Sequence, residues 1–275
     1  MSRIRVGVFD SGIGGLSILQ ALCEQLPQHD FIYIADSGHA PYGERDDEHV
    51  LARSHAIADY LLRQDIQALV IACNTATAAA IEALRERHPG LAIIGVEPAL
   101  KPALLISQTR RIGVMATRST LASARFGLLR EALADQAEFV LQPCDGLAEA
   151  IERAVGAPEN SAFATTLIAE CARHTRAMGQ FGIKPGEMDS LVLGCTHYPF
   201  ASAHLRQLMG PEVQFIDTGA AVARQTRRLL TELADYPLAK ACGQIRLLST
   251  GDPQLLQTAA AHWLNLTCEV ESLTL

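Results

Sequence analysis

Two strings of this chain align without a gap: Ala68-Leu69-Val70-Ile71-Ala72-Cys73-Asn74-Thr75 and Ser190-Leu191-Val192-Leu193-Gly194-Cys195-Thr196-His197. Each is an apolar run that ends in a small residue, then a cysteine, then small polar residues. The repeat extends upstream, where Val6-Gly7-Val8-Phe9-Asp10-Ser11 resembles Ile112-Gly113-Val114-Met115-Ala116-Thr117. A chain that carries the same pair of strand-and-loop units twice is constrained to two related half-structures. Gly113 and Cys195 lie farther apart in sequence than Gly7 and Cys73, so the second half holds an insertion, expected around Asn160–Lys184.

Short apolar runs alternate with longer helical patterns along the whole chain. The strands are expected at Ile4–Asp10, Phe31–Ala35, Ala68–Ala72, Ala92–Val96, Arg111–Met115, Glu138–Leu141, Ser190–Gly194 and Val213–Asp217, with weaker candidates at Ile245–Ser249 and Cys268–Leu273. Helical patterns cover Leu16–Leu26, Asp46–Gln64, Thr75–His88, Leu121–Leu133 and Ala220–Leu233. Strands that are apolar throughout and alternate with helices specify parallel sheets covered on both faces. The fold class is therefore α/β: two pseudo-symmetric domains, each a mainly parallel sheet flanked by helices. The crossover falls near Glu97-Pro98. Residues 1–97 with 210–275 are expected to form a discontinuous first domain, and residues 98–209 the second.

Composition narrows the function classes. The formal charge is −7 and there is no basic block, which argues against a nucleic-acid surface. No apolar run is long enough to span a bilayer. Met1-Ser2-Arg3-Ile4-Arg5 leads straight into a strand without the apolar core of a signal peptide. Seven scattered cysteines without a C-x-x-C give neither a zinc ribbon nor a thioredoxin motif. A reducing cytoplasm with free thiols fits this pattern. The only lysines, Lys101, Lys184 and Lys240, have no Schiff-base context, so pyridoxal phosphate is not expected. No metal is expected either, because the Cys and His spacings match no common site type.

The strand ends carry the chemistry. In open parallel sheets, ligands bind beyond the carboxyl ends of strands. Asp10-Ser11, Cys73-Asn74-Thr75, Thr117 and Cys195-Thr196-His197 all fall at such ends and at or just before expected helix N-termini. Helix N-terminal amides favour anions, and that position lowers a cysteine thiol from roughly 8.5 toward neutrality. Cys73 and Cys195 are therefore set apart as a pair of acid/base groups. Cys23, Cys144, Cys171, Cys242 and Cys268 are read as small buried hydrophobes. Ser11-Gly12-Ile13-Gly14-Gly15 matches neither dinucleotide nor P-loop patterns and is read as a tight strand-to-helix turn. Asp10 is either an N-cap or an acid/base auxiliary. His197 beside Cys195 also suits a thiol hydrolase, although that chemistry leaves the second thiol unexplained.

Longer stretches carry a family resemblance. Phe9-Asp10-Ser11-Gly12-Ile13-Gly14-Gly15-Leu16-Ser17, Ala35-Asp36-Ser37 with Pro41-Tyr42-Gly43, Ala72-Cys73-Asn74-Thr75-Ala76, Gly95-Val96-Glu97-Pro98 and Leu193-Gly194-Cys195-Thr196-His197-Tyr198-Pro199 resemble, in order and spacing, the signatures of the glutamate racemase family. The resemblance implies a cofactor-independent two-base racemase that supplies D-glutamate for peptidoglycan, with its active site between two α/β domains. It implies Cys73 and Cys195 as the catalytic thiols, Asp10 assisting Cys73, His197 assisting Cys195, and Glu152 as an auxiliary acid. Substrate contacts are implied at Asp10, Ser11, Tyr42, Gly43, Asn74, Thr75, Thr117, Thr120, Thr196 and His197. The implied partner is L- or D-glutamate, with no nucleic acid or membrane partner, and a homodimer is allowed. Two other readings stay open: a sister racemase acting on aspartate or a hydantoin, and a two-lobed protein that binds a small anion without chemistry.

Overall fold

The computed structural model describes residues 3–232 and 242–275; Lys240 and the expected helix end at Leu233 lie outside them. Along the chain run β1 (Arg5–Asp10), α1 (Leu16–Gln25), β2 (Asp30–Ala35), α2 (Asp47–Leu62), β3 (Ala68–Ile71), α3 (Asn74–Arg87) and β4 (Ala92–Ile94). There follow α4 (Leu100–Ile106), β5 (Arg111–Ala116), α5 (Arg118–Ala122), α6 (Ala124–Glu131), β6 (Glu138–Pro143), α7 (Leu147–Ala154), α8 (Ala162–Met178), β7 (Ser190–Gly194), α9 (Ser202–Met209) and β8 (Gln214–Ile216). The last elements are α10 (Gly219–Glu232), β9 (Ile245–Ser249), α11 (Pro253–Leu264) and β10 (Val270–Ser272). Among the described residues, no helix is long and apolar enough to cross a membrane.

The chain forms two compact units, one of Met1–Val96 with Gly219–Leu275 and one of Glu97–Thr218. Unit 1 holds a six-stranded sheet of order β10-β9-β2-β1-β3-β4, and unit 2 a four-stranded sheet of order β6-β5-β7-β8. Every strand pairing among the described residues is parallel. The order β2-β1-β3-β4 in the first sheet is repeated as β6-β5-β7-β8 in the second, so the sequence repeat is a repeat of topology.

The register repeats too. Gly7 of β1 lies beside Leu69 of β3, and Gly113 of β5 lies beside Leu191 of β7. Side chains close directly over the glycine at both positions. A Cβ on Gly7 would sit 3.0 Å from Ile66 Cδ1 and 3.1 Å from Leu61 Cδ1, and one on Gly113 would sit 2.8 Å from Met178 Cε. The central strands are wholly buried beyond their first residue, as parallel strands covered on both faces must be. In unit 1, α1 packs with α10 and α2 with α3, while the apolar floor under Cys73 is built from β1, β2, β3, α2 and α3.

One expectation is met, and two features depart from the sequence reading. The expected insertion in the second half is α8, a second helix between β6 and β7 where unit 1 has α2 alone. Residues 210–218, expected in the first domain, belong to unit 2, because β8 pairs with β7 through Ser190, Leu191 and Val192. Finally, Cys242 is exposed, and Cys23 and Cys268 are only partly buried, whereas Cys144 and Cys171 are buried as expected.

Candidate active site

In unit 1 the chain leaves β1 for β2 on one side and returns to β3 on the other. The carboxyl ends of β1 and β3 therefore flank a topological switch point, where loops part and leave a crevice. Asp10 ends β1 and is fully buried; its Oδ1 accepts the Ser11 amide at 2.7 Å and faces the Ser11 hydroxyl at 3.4 Å. That hydroxyl lies 3.7 Å from the Cys73 sulfur, across the crevice. Cys73 is the N-cap of α3, and its sulfur accepts the Ala76 amide at 3.4 Å. The sulfur thus sits at the positive end of a fourteen-residue helix, in a position where backbone N–H groups stabilise negative charge. Beside it, the Asn74 Nδ2 is buried with no hydrogen-bond partner among the described residues.

The turn between Asp10 and α1 is tight by necessity. A Cβ on Gly15 would lie 2.6 Å from the Asp10 Cβ and 2.8 Å from the Tyr33 hydroxyl. Tyr33 in turn donates to the Gly12 carbonyl at 2.7 Å and pins the loop from below. Gly15, not Asp10, is the N-cap of α1. The N-cap reading of Asp10 is therefore set aside.

Unit 2 repeats the arrangement at the ends of β5 and β7. Thr117, just past β5, caps α5 by accepting the Thr120 amide at 3.3 Å, and the two hydroxyls are 2.8 Å apart. Cys195 follows β7, with its sulfur 3.7 Å from His197 Nδ1. His197 Nε2 is 2.8 Å from Glu152 Oε1, which α7 supplies. Burial alone pushes the His197 imidazolium down, but hydrogen bonds and charge from Cys195 and Glu152 outweigh it and hold the group well above its usual value. Both ring nitrogens then carry protons, one directed at sulfur and the other at carboxylate. Cys144 lies close by; burial, then the charge of Cys195, push its thiol far up. Its carbonyl is 3.5 Å from the buried Tyr198 hydroxyl.

Against that geometry the comparisons with known proteins are consistent. The family model described as Asp/Glu/Hydantoin racemase matches residues 12–226. The chain belongs to this racemase family. A protein named glutamate racemase from Ectopseudomonas mendocina is 46% identical over 262 residues, which covers 93% of each chain. A crystal structure of glutamate racemase RacE1 from Bacillus anthracis superposes with TM-score 0.86 at 26% identity, covering 100% of this chain and 99% of the other. The Escherichia coli glutamate racemase, solved with L-glutamate and the activator UDP-MurNAc-ala, gives TM-score 0.84 at 28% identity and 99% coverage of both chains.

Within this racemase fold, unit 1 brings together Asp10, Ser11, Cys73, Asn74 and Thr75, all buried. Unit 2 brings together Cys195, Thr196 and His197, also buried, with Glu152 on His197. Thr117 and Thr120 form a separate cap on the neighbouring strand of that sheet. Tyr42 and Gly43 lie in a 3-10 turn, Tyr42–Glu44, that packs on α3. The Tyr42 hydroxyl does not face open space; it donates to Asp36 Oδ2 at 2.5 Å. Cys195 also departs from expectation. It leads into a turn and the 3-10 segment Tyr198–Ala201, and α9 begins only at Ser202. The residues that sequence reasoning missed are Asp36 as a hub, with Arg53 and Thr250 as its partners. Asp36 stands in a motif string, but Arg53 and Thr250 carry no local signal. Among the described residues, no group of three or more His, Cys, Asp or Glu side chains could hold a metal ion.

Proposed function

We propose that the chain is a cofactor-independent glutamate racemase that interconverts L- and D-glutamate with two thiols, and that it supplies D-glutamate for peptidoglycan synthesis. The observation that carries this reading is the duplication. Cys73 and Cys195 occupy equivalent strand ends of two units with the same sheet order, and each has its own polar companions. A hydrolase needs one nucleophile, and a binding protein needs none. Inversion at a carbon needs an acid/base group for each face.

Each unit contributes one thiol. One cysteine, as thiolate, takes the α-proton of glutamate; the other, as thiol, delivers its proton to the opposite face. The two sulfurs end the turnover with exchanged proton states, and the reverse reaction restores them. Asp10 acts beside Cys73 by orienting the Ser11 amide and hydroxyl next to the sulfur. His197, held protonated, stabilises the charge left on Cys195 when that sulfur gives up its proton. Glu152 fixes the imidazole orientation. Substrate carboxylates are received by Ser11, the Tyr42-Gly43 turn, the free Asn74 amide, Thr75, Thr117, Thr120 and Thr196. Such donors stabilise negative charge as it grows in the transition state, and fixed placement supplies proximity.

Polarimetry of L-glutamate and of D-glutamate with the purified chain, without added cofactor, tests this reading. Rotation decays to zero from both enantiomers. Cys73→Ala and Cys195→Ala each lower the rate by about 10²–10⁴-fold or more, the usual worth of a positioned acid or base. Constant rotation with glutamate, together with decay for aspartate or a hydantoin, assigns a sister racemase instead. Full activity in either alanine variant contradicts the two-thiol mechanism.

A further inference from the structure

We propose that Asp36 is a positioning residue: its buried carboxylate ties the Tyr42-Gly43 turn to α2 and to the end of β9, and thereby fixes where that turn receives substrate. The proposal rests on the racemase reading above. Asp36 has no exposed surface and follows β2 directly. Its Oδ2 accepts the Tyr42 hydroxyl at 2.5 Å and Arg53 Nε at 3.0 Å; its Oδ1 accepts Arg53 Nη2 at 2.8 Å and Thr250 Oγ1 at 2.7 Å. Its amide donates to the Asp10 carbonyl at 2.9 Å, which links the hub to the loop beside Cys73.

Four chain segments thus meet on one carboxylate. A buried ion pair is a poor means of gaining stability, because a well-packed apolar group often does as well. A bidentate arginine pair with two further donors instead imposes direction. Here the directed group is Tyr42, whose ring belongs to the same buried cluster as Cys73. Burial opposes the charge on Asp36, but the hydrogen bonds from Arg53, Tyr42 and Thr250 and the Arg53 charge together hold its carboxyl below its usual value. Burial, reinforced by Asp36, pushes the Tyr42 phenol far up, so it remains a donor. The Tyr42 hydroxyl is committed to Asp36, which leaves the backbone of the turn to meet a ligand.

Steady-state racemisation by Asp36→Asn, Tyr42→Phe, the double variant and Thr250→Val tests this, with thermal unfolding measured alongside. Asp36→Asn raises KM for glutamate about tenfold or more and changes kcat far less, the pattern of lost ligand placement. Tyr42→Phe acts in the same direction, and the double variant is no worse than Asp36→Asn, since both remove one contact. Thr250→Val gives a smaller rise in KM, and decides the matter with Tyr42→Phe if Asp36→Asn does not fold. Lower melting temperatures with KM and kcat unchanged in the folded enzyme overturn the proposal. A large loss of kcat in Tyr42→Phe with none in Asp36→Asn also overturns it, because the hydroxyl then acts on substrate. Alkylation of Cys73 by iodoacetamide, followed by mass spectrometry, separates this proposal from the racemase reading because it needs no turnover. The rate rises several-fold in Asp36→Asn if the turn is released, and an unchanged rate overturns the proposal even where glutamate is not the substrate.

Discussion

At the scale of single residues, the proposed pair Cys73 and Cys195 sit in different surroundings. Cys73 uses backbone: the Ala76 amide and the start of α3. Cys195 uses side chains: His197 and, behind it, Glu152. The second arrangement contains an imidazole that a neighbouring thiol and carboxylate hold protonated, so a pH dependence is expected there. The His197 value is raised in the folded state relative to its usual one near 6.5. Its stabilising contribution is therefore full below about 6.5 and is lost as pH rises through the raised folded value. Glu152→Gln removes one of the two groups that hold the imidazolium up. The alkaline limb of the pH–rate profile should then move to lower pH, and the loss of stability at high pH should begin earlier. Profiles of racemisation and of melting temperature between neutral and alkaline pH check both, and an unmoved alkaline limb would mean that the Glu152 contact does not govern His197.

At the scale of elements, the turn from β1 into α1 brings Asp10 and Ser11 to the crevice, and it closes only around a glycine. Gly15→Ala places a methyl group 2.6 Å from the Asp10 Cβ. Overpacking of this kind costs roughly 1–3 kcal/mol, and relief by moving Asp10 disturbs the Ser11–Cys73 approach. The variant should lose activity as well as melt earlier; full activity would show that the turn tolerates a shifted Asp10. How much of these elements was legible in the sequence follows from what sets them. Ser190–Gly194 and Ile245–Ser249 were expected at the bounds observed, because an apolar run flanked by turn residues is a local signal. The helix expected right after Cys195 begins only at Ser202, after the 3-10 segment Tyr198–Ala201. The side of the boundary on which 210–218 falls depends on β8 pairing with β7, and no local pattern reports a partner strand. The Asp36 hub was illegible for the same reason: Thr250 reaches it from 214 positions away. In contrast, the contact of His197 with Glu152 joins two residues that the family resemblance had already named.

For the whole molecule, the duplicated sheet order gives a physical reason for a reaction with two faces. A β-strand order that ends with a thiol at its switch point occurs once in each unit, and each unit presents a donor set suited to a carboxylate. Unit 1 is extended by β9 and β10 on the far side of β2 from β1, and Thr250 at the end of β9 reaches Asp36 at the end of β2. The central claim, that each face of the substrate carbon has its own acid/base group, is open to one direct measurement. L-glutamate is turned over in D2O and sampled at low conversion, and the Cα position of both enantiomers is read by proton NMR. With one thiol for each face, the D-glutamate formed carries solvent deuterium from the first turnovers, while the remaining L-glutamate keeps its protium. D-glutamate that retains the original α-proton, or L-glutamate that exchanges as fast as product forms, would show a single base serving both faces and contradict the two-thiol mechanism.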